Sequence, residues 1–355
     1  MRVVRVTRFG GPEVLVAGQA PEPVAGPGQV VIGVAVADVL FLETQLRGGW
    51  GAEYFDVSPP YVPGGGVGGR VISVGEGVDP GWTGRDVVAM TGGGGYAERA
   101  VASVDGLVPV PDGLPLGEAV ALLQIGPAAL SLVEAAEIKP GERVLVTAAA
   151  GGLGGLLVQL AHAAGARVVA AARGARKLDL ARELGADVVV DYSRPDWAER
   201  VREAVGGGAG AGGGLRGGAE AGAEAGGGLR GGVETEAGDE RGADVVFDGV
   251  GGRIGRTSFE ITARGGRFFA YGVPSGTFTE IDPREPQGRG VGVRGIEQVQ
   301  FLPEEARRLT ERALAEAVAG RIRPVIGQTF PLERAAEAHA AIESRDVVGK
   351  TLLLV

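Results

Sequence analysis

Gly151, Gly152 and Gly154 crowd one turn of the largely apolar stretch that runs from Val144 to Arg173. Glycine leaves the backbone bare where a phosphate must approach, and it lets a helix close on a neighbouring strand. The chemistry such a turn offers is anion binding by backbone N–H groups at a helix N-terminus. The stretch closes on Ala172-Arg173-Gly174-Ala175-Arg176-Lys177, with no acidic residue before Asp179. A guanidinium grips a phosphate through paired hydrogen bonds, and a lysine adds a point charge. A carboxylate at that place would instead accept from a ribose 2′-hydroxyl. Ala150, Gly151, Gly152, Leu153 and Gly154 are therefore expected to cradle a dinucleotide pyrophosphate, with Arg173 and the basic residues behind it on a 2′-phosphate. That combination predicts NADPH.

Side chains able to do other chemistry are few. Cysteine is absent, which excludes disulfides and thiolate zinc sites. His162 and His339 fall in alanine-rich helical patterns, where partly exposed positions are expected. Asp38 and Glu43 are a poor set for a metal, so solvated or capping roles are expected and no metal site is predicted. Leu40, Phe41, Trp50, Tyr54 and Phe55 make an apolar, partly aromatic stretch, with Thr44 and Tyr54 among its hydroxyls.

These residues need elements to hold them. Strands are expected near Arg143–Thr147, Arg167–Ala171, Asp187–Asp191, Asp244–Asp248, Arg267–Tyr271 and Val291–Ile296. Helices are expected near Gly152–Ala164, Arg176–Leu184, Asp196–Ala204 and Gly252–Ala263. Their alternation reads as an α/β fold, a Rossmann-type doubly wound parallel sheet. Ligands sit at the carboxyl edge of such sheets, so Asp248, Val250, Gly251, Gly272 and Val273 are expected beside the cofactor. The first 120 or so residues, with short Val-rich runs punctuated by Gly and Pro, read as a small β-barrel. The expected domains are 1–121, then 122–298 for the nucleotide, then 299–355 returning to the first domain. Within the second, an insertion at 206–240 is about half glycine and repeats the octet Ala-Gly-Gly-Gly-Leu-Arg-Gly-Gly at 211 and 225. Such a segment cannot bury enough apolar surface to offset ordering, so a flexible loop is expected.

A chain of 355 residues suits two domains, and 45% hydrophobic with 22% charged residues is a soluble balance. The net charge of −9 argues against nucleic-acid or anionic-membrane partners. No uncharged apolar run reaches about 18 residues, so no membrane span is expected. Met1 opens directly into strand pattern with no secretory signal, and a cytoplasmic location is expected. The strand near Val291–Ile296 should lie at a sheet edge, which predicts a homodimer.

Phe9-Gly-Gly-Pro-Glu-Val-Leu, Pro63-Gly-Gly-Gly-Val-Gly-Gly-Arg-Val, Gly84-Arg-Asp-Val-Val, Ala148-Ala-Ala-Gly-Gly-Leu-Gly, Val246-Phe-Asp-Gly-Val-Gly and Gly349-Lys-Thr-Leu-Leu carry a family resemblance. The chain resembles the medium-chain dehydrogenase/reductase superfamily, in its zinc-free quinone oxidoreductase branch. The resemblance implies that the small barrel is GroES-like. It places Lys177 and Tyr192 beside the 2′-phosphate and makes Arg345 a cofactor contact. Where zinc-dependent members carry a Cys strand and a Gly-His-Glu turn, this chain has Val34-Ala-Val-Ala-Asp38 and Gly64-Gly65-Gly66. Leu40 stands at a substrate-cleft slot where the family commonly has Asn, and Ala128 at a slot where it commonly has Thr. The resemblance implies that Leu40, Phe41, Trp50, Tyr54 and Phe55 wall a pocket for a flat hydrophobic acceptor, with Thr44 and Tyr54 as its candidate catalytic hydroxyls. The implied activity is reduction of a quinone by NADPH without zinc. An alternative is reduction of an enone or enoyl double bond with Tyr54 as proton donor; another is a non-catalytic nucleotide-binding protein with the Gly-rich arm as its partner surface.

Overall fold

The computed structural model describes residues 1–51, 55–206 and 242–355. Tyr54 and the Gly-rich stretch beyond Gly206 lie outside the described residues. The Val-rich N-terminal runs form β1 (Arg2–Val6), β2 (Leu15–Gln19), β3 (Gln29–Val39), then helix α1 (Phe41–Arg47), β4 (Gly66–Val74), β5 (Asp86–Met90), β6 (Arg99–Ser103) and β7 (Val108–Pro109). A long helix, α2 (Leu116–Ala136), leads into alternating elements: β8 (Arg143–Thr147), α3 (Gly152–Ala163), β9 (Arg167–Ala172), α4 (Ala175–Glu183), β10 (Val188–Asp191) and α5 (Trp197–Gly206). Then come β11 (Ala243–Asp248), α6 (Gly252–Ile261), β12 (Thr262–Ala270), α7 (Arg284–Arg289) and β13 (Gly292–Arg294). The chain closes with α8 (Pro303–Val318), β14 (Ile326–Pro331), α9 (Ala335–Glu343) and β15 (Lys350–Leu354).

One sheet runs β10-β9-β8-β11-β12-β13 with every neighbouring pair parallel. Its central strands β8, β9 and β11 are apolar on both faces because both faces are covered. Val144, Val146, Val168 and Ala170 enter one core with α2 and α3, while Leu145, Val169 and Ala171 enter another with Phe259 and Phe268. The strand order reverses at β8, so the crevice between the loops after β8 and β11 is the switch point where ligands bind in such sheets.

The second sheet runs β14-β15-β3-β4-β5-β7, with β6 also on β3. The last strand, β15, lies antiparallel to β3, pairing Leu353 with Ala37. The C-terminal segment thus returns to the N-terminal sheet. Helix α2 is long and apolar enough to cross a membrane, but 72% of its apolar window is buried. It carries Glu118, Gln124 and Glu134 and serves as the spine between the two sheets.

Two local expectations shift. The strand expected from Arg267 starts at Thr262, because the chain bulges between its pairings with Ala243 and Val245 at Gly265, where φ is +72°. The strand expected over Val291–Ile296 shortens to Gly292–Arg294, an exposed edge.

Candidate functional site

The turn after β8 is held tightly. Ala148 adopts left-handed φ of +51°, and its carbonyl accepts from Gly151 N at 2.9 Å. A Cβ on Gly154 would stand 2.3 Å from that same carbonyl oxygen, so only glycine lets α3 approach β8 this closely. Gly151 caps α3 without a side-chain hydrogen bond. The N–H groups of Gly152, Leu153 and Gly154 therefore have no helical partner and can receive an anion.

This turn opens one side of a cleft of about 520 Å³ at the switch point. Of the residues expected at the cofactor, Ala150, Gly151, Arg173, Lys177, Tyr192, Val250 and Arg345 line it together. Gly152, Leu153, Gly154, Gly251, Gly272 and Val273 do not; several of them shape its walls from behind. A Cβ on Gly251 would meet Thr277 O at 2.3 Å, and one on Gly272 would meet Gly249 O at 2.4 Å.

Asp248 corrects its expected place. Its carboxylate is buried and accepts from Thr147 Oγ1 at 3.0 Å, Val250 N at 3.0 Å and Thr279 Oγ1 at 2.7 Å. It braces the loop that carries Val250 rather than facing the cleft. Sequence reasoning also missed Arg253, which lines the cleft from the first turn of α6. The same carboxyl-edge rule that singled out the Asp248 loop, extended by one helical turn, would have found it.

The lining holds four cations, Arg173, Lys177, Arg253 and Arg345, and no carboxylate. Lys177 is half-buried, and its ammonium donates to the Arg345 carbonyl at 2.5 Å. Burial pulls its pKa down, and the nearby Arg173 and Arg345 charges add to this, partly countered by Asp346. A phosphate would relieve both the burial and the repulsion. Burial also lowers the Arg345 pKa and raises that of Tyr192.

In α1, beside the N-terminal sheet, Thr44 is buried and its hydroxyl donates to the Phe41 carbonyl at 2.7 Å. Trp50 and Phe55 are exposed, whereas Leu40 and Phe41 are half-buried. Asp38 and Glu43 are not solvated. Asp38 meets Lys350 at 2.6 Å, and Glu43 accepts from Leu40 N at 3.1 Å, Gly65 N at 3.0 Å and Tyr96 Oη at 2.8 Å. Burial raises the Glu43 pKa to about 7. His162 is exposed as expected, but His339 is fully buried, its Nε2 lying 3.0 Å from Tyr96 Oη, and burial lowers its pKa to about 3. Among the described residues no group of three or more His, Cys, Asp or Glu could hold a metal.

A family model described as "Zinc-binding dehydrogenase" matches residues 152–314. The quinone oxidoreductase of Sus scrofa is 30% identical, covering 100% of this chain and 98% of its own. A 2-haloacrylate reductase of Burkholderia sp is also 30% identical, over 98% of this chain and 97% of its own. The structure of Escherichia coli quinone oxidoreductase complexed with NADPH superposes with a TM-score of 0.84 at 25% identity, covering 100% of both chains. The parallel sheet, the glycine turn at its switch point and these full-length likenesses agree: the chain belongs to the medium-chain dehydrogenase/reductase family of oxidoreductases, in its quinone oxidoreductase branch.

Proposed function

We propose that this chain is an NADPH-dependent reductase that passes hydride to an apolar, quinone-like acceptor without zinc. The observation that carries the reading is the cleft itself. In a chain of net charge −9, four cations and no carboxylate line the switch-point crevice. That lining fits a polyanionic dinucleotide with an extra phosphate. The N–H groups of Gly152, Leu153 and Gly154 hold the pyrophosphate, while Arg173, Lys177 and Arg345 surround the 2′-phosphate beside Tyr192. The loop of Val250 and Gly251, braced by Asp248, and the loop of Gly272 and Val273 close the cleft around the rest.

When bound, the reduced nicotinamide supplies a hydride, which with one proton from solvent converts a quinone to its hydroquinone and leaves NADP⁺. The protein's part is to position and to exclude water. A stable aromatic oxyanion needs no strong acid, which suits a site whose Thr44 hydroxyl is already engaged within α1. The exposed edge at Gly292–Arg294 supports a homodimer formed by a second copy of the chain.

The likeness to a 2-haloacrylate reductase favours a second reading, reduction of an activated carbon–carbon double bond with Tyr54 protonating the α-carbon. NADPH oxidation measured against a quinone, an enone and an enoyl thioester, with and without a chelator, separates the two. Quinone turnover unaffected by the chelator is expected. Turnover confined to the enone, and lost in Tyr54→Phe, would establish the second reading instead.

A further inference from the structure

One cation of the cleft makes a contact that phosphate binding does not explain. Arg345 adopts left-handed φ of +65°, donates from Nη2 to the Pro274 carbonyl at 2.5 Å, and places its Cζ 4.5 Å from the centroid of the Phe41 ring. It is half-buried, and no ion pair to a carboxylate meets it among the described residues. Its charge is met by the Pro274 carbonyl, by the π face of Phe41 and, beyond ion-pair distance, by the Glu343 carboxylate.

Phe41 is the first residue of α1 and adjoins Leu40 in the stretch read as the acceptor's wall. Polar links fasten α1 to α9, the helix that ends just before Arg345. Arg47, with only 3% of its side chain exposed, pairs with Glu343. Deeper in, Glu43, Tyr96 and His339 form a continuous buried chain from α1 to α9. Phe41 and Arg345 therefore stand at adjoining ends of two helices that are tied together, Phe41 in the stretch read as the acceptor's wall and Arg345 in the lining of the cleft.

We propose that Phe41 is a positioning residue that couples the acceptor wall to the cofactor's 2′-phosphate through its cation–π contact with Arg345. The inference rests on the NADPH reading of the cleft. A guanidinium has five N–H donors in a fixed plane, and those left free beside the Pro274 contact can take the phosphate. Phosphate fixes the plane of the guanidinium, and the plane fixes the ring beneath it. The ring in turn fixes the start of α1. Coupling of this kind is reciprocal, so the acceptor must also raise affinity for the phosphorylated cofactor.

The test uses the full chain, its Phe41→Leu variant and its Phe41→Tyr variant. Amide hydrogen exchange across residues 40–48 is measured with and without adenosine 2′,5′-bisphosphate, which needs no acceptor. The KM for 1,4-benzoquinone is measured with NADPH and with NADH. In the wild type the bisphosphate should slow exchange, and the KM should be at least about fivefold lower with NADPH, the lower end of ordinary coupling between sites. Phe41→Leu should lose both differences and Phe41→Tyr should keep them. Differences that persist in Phe41→Leu, or a wild type that shows no exchange response while binding NADPH, overturn the proposal. A wild type that fails to bind NADPH, read by nicotinamide fluorescence, overturns the cofactor reading with it.

Discussion

The ammonium of Lys350 lies 2.6 Å from the carboxylate of Asp38, with 5% and 0% of the two side chains exposed. The pair joins the first residue of β15 to β3, and Gln124 of α2 donates to the other Asp38 oxygen at 3.0 Å. The Lys350 stem covers Gly152, where a Cβ would meet its Cδ at 2.6 Å, and Gly349 N donates to Ala150 O at 2.7 Å. The N-terminal sheet is thus fixed to the glycine turn at the point where the dinucleotide helix begins.

Removing one partner of that pair leaves a buried charge uncompensated. Asp38→Asn or Lys350→Met should each lower stability by about 3–5 kcal/mol. The double change Asp38→Leu with Lys350→Met should recover most of the loss, because apolar replacements for a buried pair are often neutral. Urea unfolding of the single and double variants checks both. Equal loss in all three would mean that the site tolerates no apolar filling.

The Glu43–Tyr96–His339 chain makes stability depend on pH in two opposed ways. The Glu43 pKa rises from 4.5 to about 7 in the fold, so its contribution is full below 4.5 and is lost as pH rises toward 7. The His339 pKa falls from 6.5 to about 3, so its contribution is full above 6.5 and is lost as pH falls toward 3. Between 4.5 and 6.5 the two slopes cancel. Glu43→Gln should remove one of them and leave stability rising with pH there, at up to about 1.4 kcal/mol per pH unit. Chemical denaturation at a series of pH values measures the slope, and a flat profile in Glu43→Gln contradicts the assignment.

Close approach at Gly154 should be costly to disturb. Gly154→Ala sets a Cβ 2.3 Å from the Ala148 carbonyl, a backbone atom that cannot swing aside. A loss of about 1–3 kcal/mol is expected, with weakened dinucleotide binding. Gly117→Ala is the control, since its Cβ would meet side chains only at 3.7 and 3.8 Å. In helix α2 that change should be neutral or stabilising by up to about 1 kcal/mol. Thermal unfolding and cofactor titration of the two variants give the comparison.

Much of the architecture was legible because it follows local rules. The runs Val144–Val146 and Val168–Ala172 are apolar at successive positions, as strands buried on both faces must be, and the glycines between them mark the turn. Arg173 was legible by its place at the strand end. What stayed hidden depends on partners distant in sequence. Nothing near Asp38 says that Lys350 will neutralise it, and an alanine-rich helix does not reveal that His339 points inward at Tyr96. Asp248 was misplaced for the same reason: its position at the strand end is right for a ligand, but Thr147 and Thr279 capture its carboxylate first.

If the cationic cleft selects NADPH, Arg173 carries much of that choice. Arg173 is exposed at the end of β9 and no ion pair to a carboxylate engages it among the described residues, so its replacement should leave the fold intact. The dissociation constants of NADPH and NADH are to be measured for the wild type and Arg173→Asp. In Arg173→Asp, NADPH binding should weaken by roughly 10- to 100-fold, the worth of a charge-assisted contact, while NADH binding changes little. Equal weakening of both cofactors, or tighter binding of NADH than NADPH by the wild type, would contradict that choice.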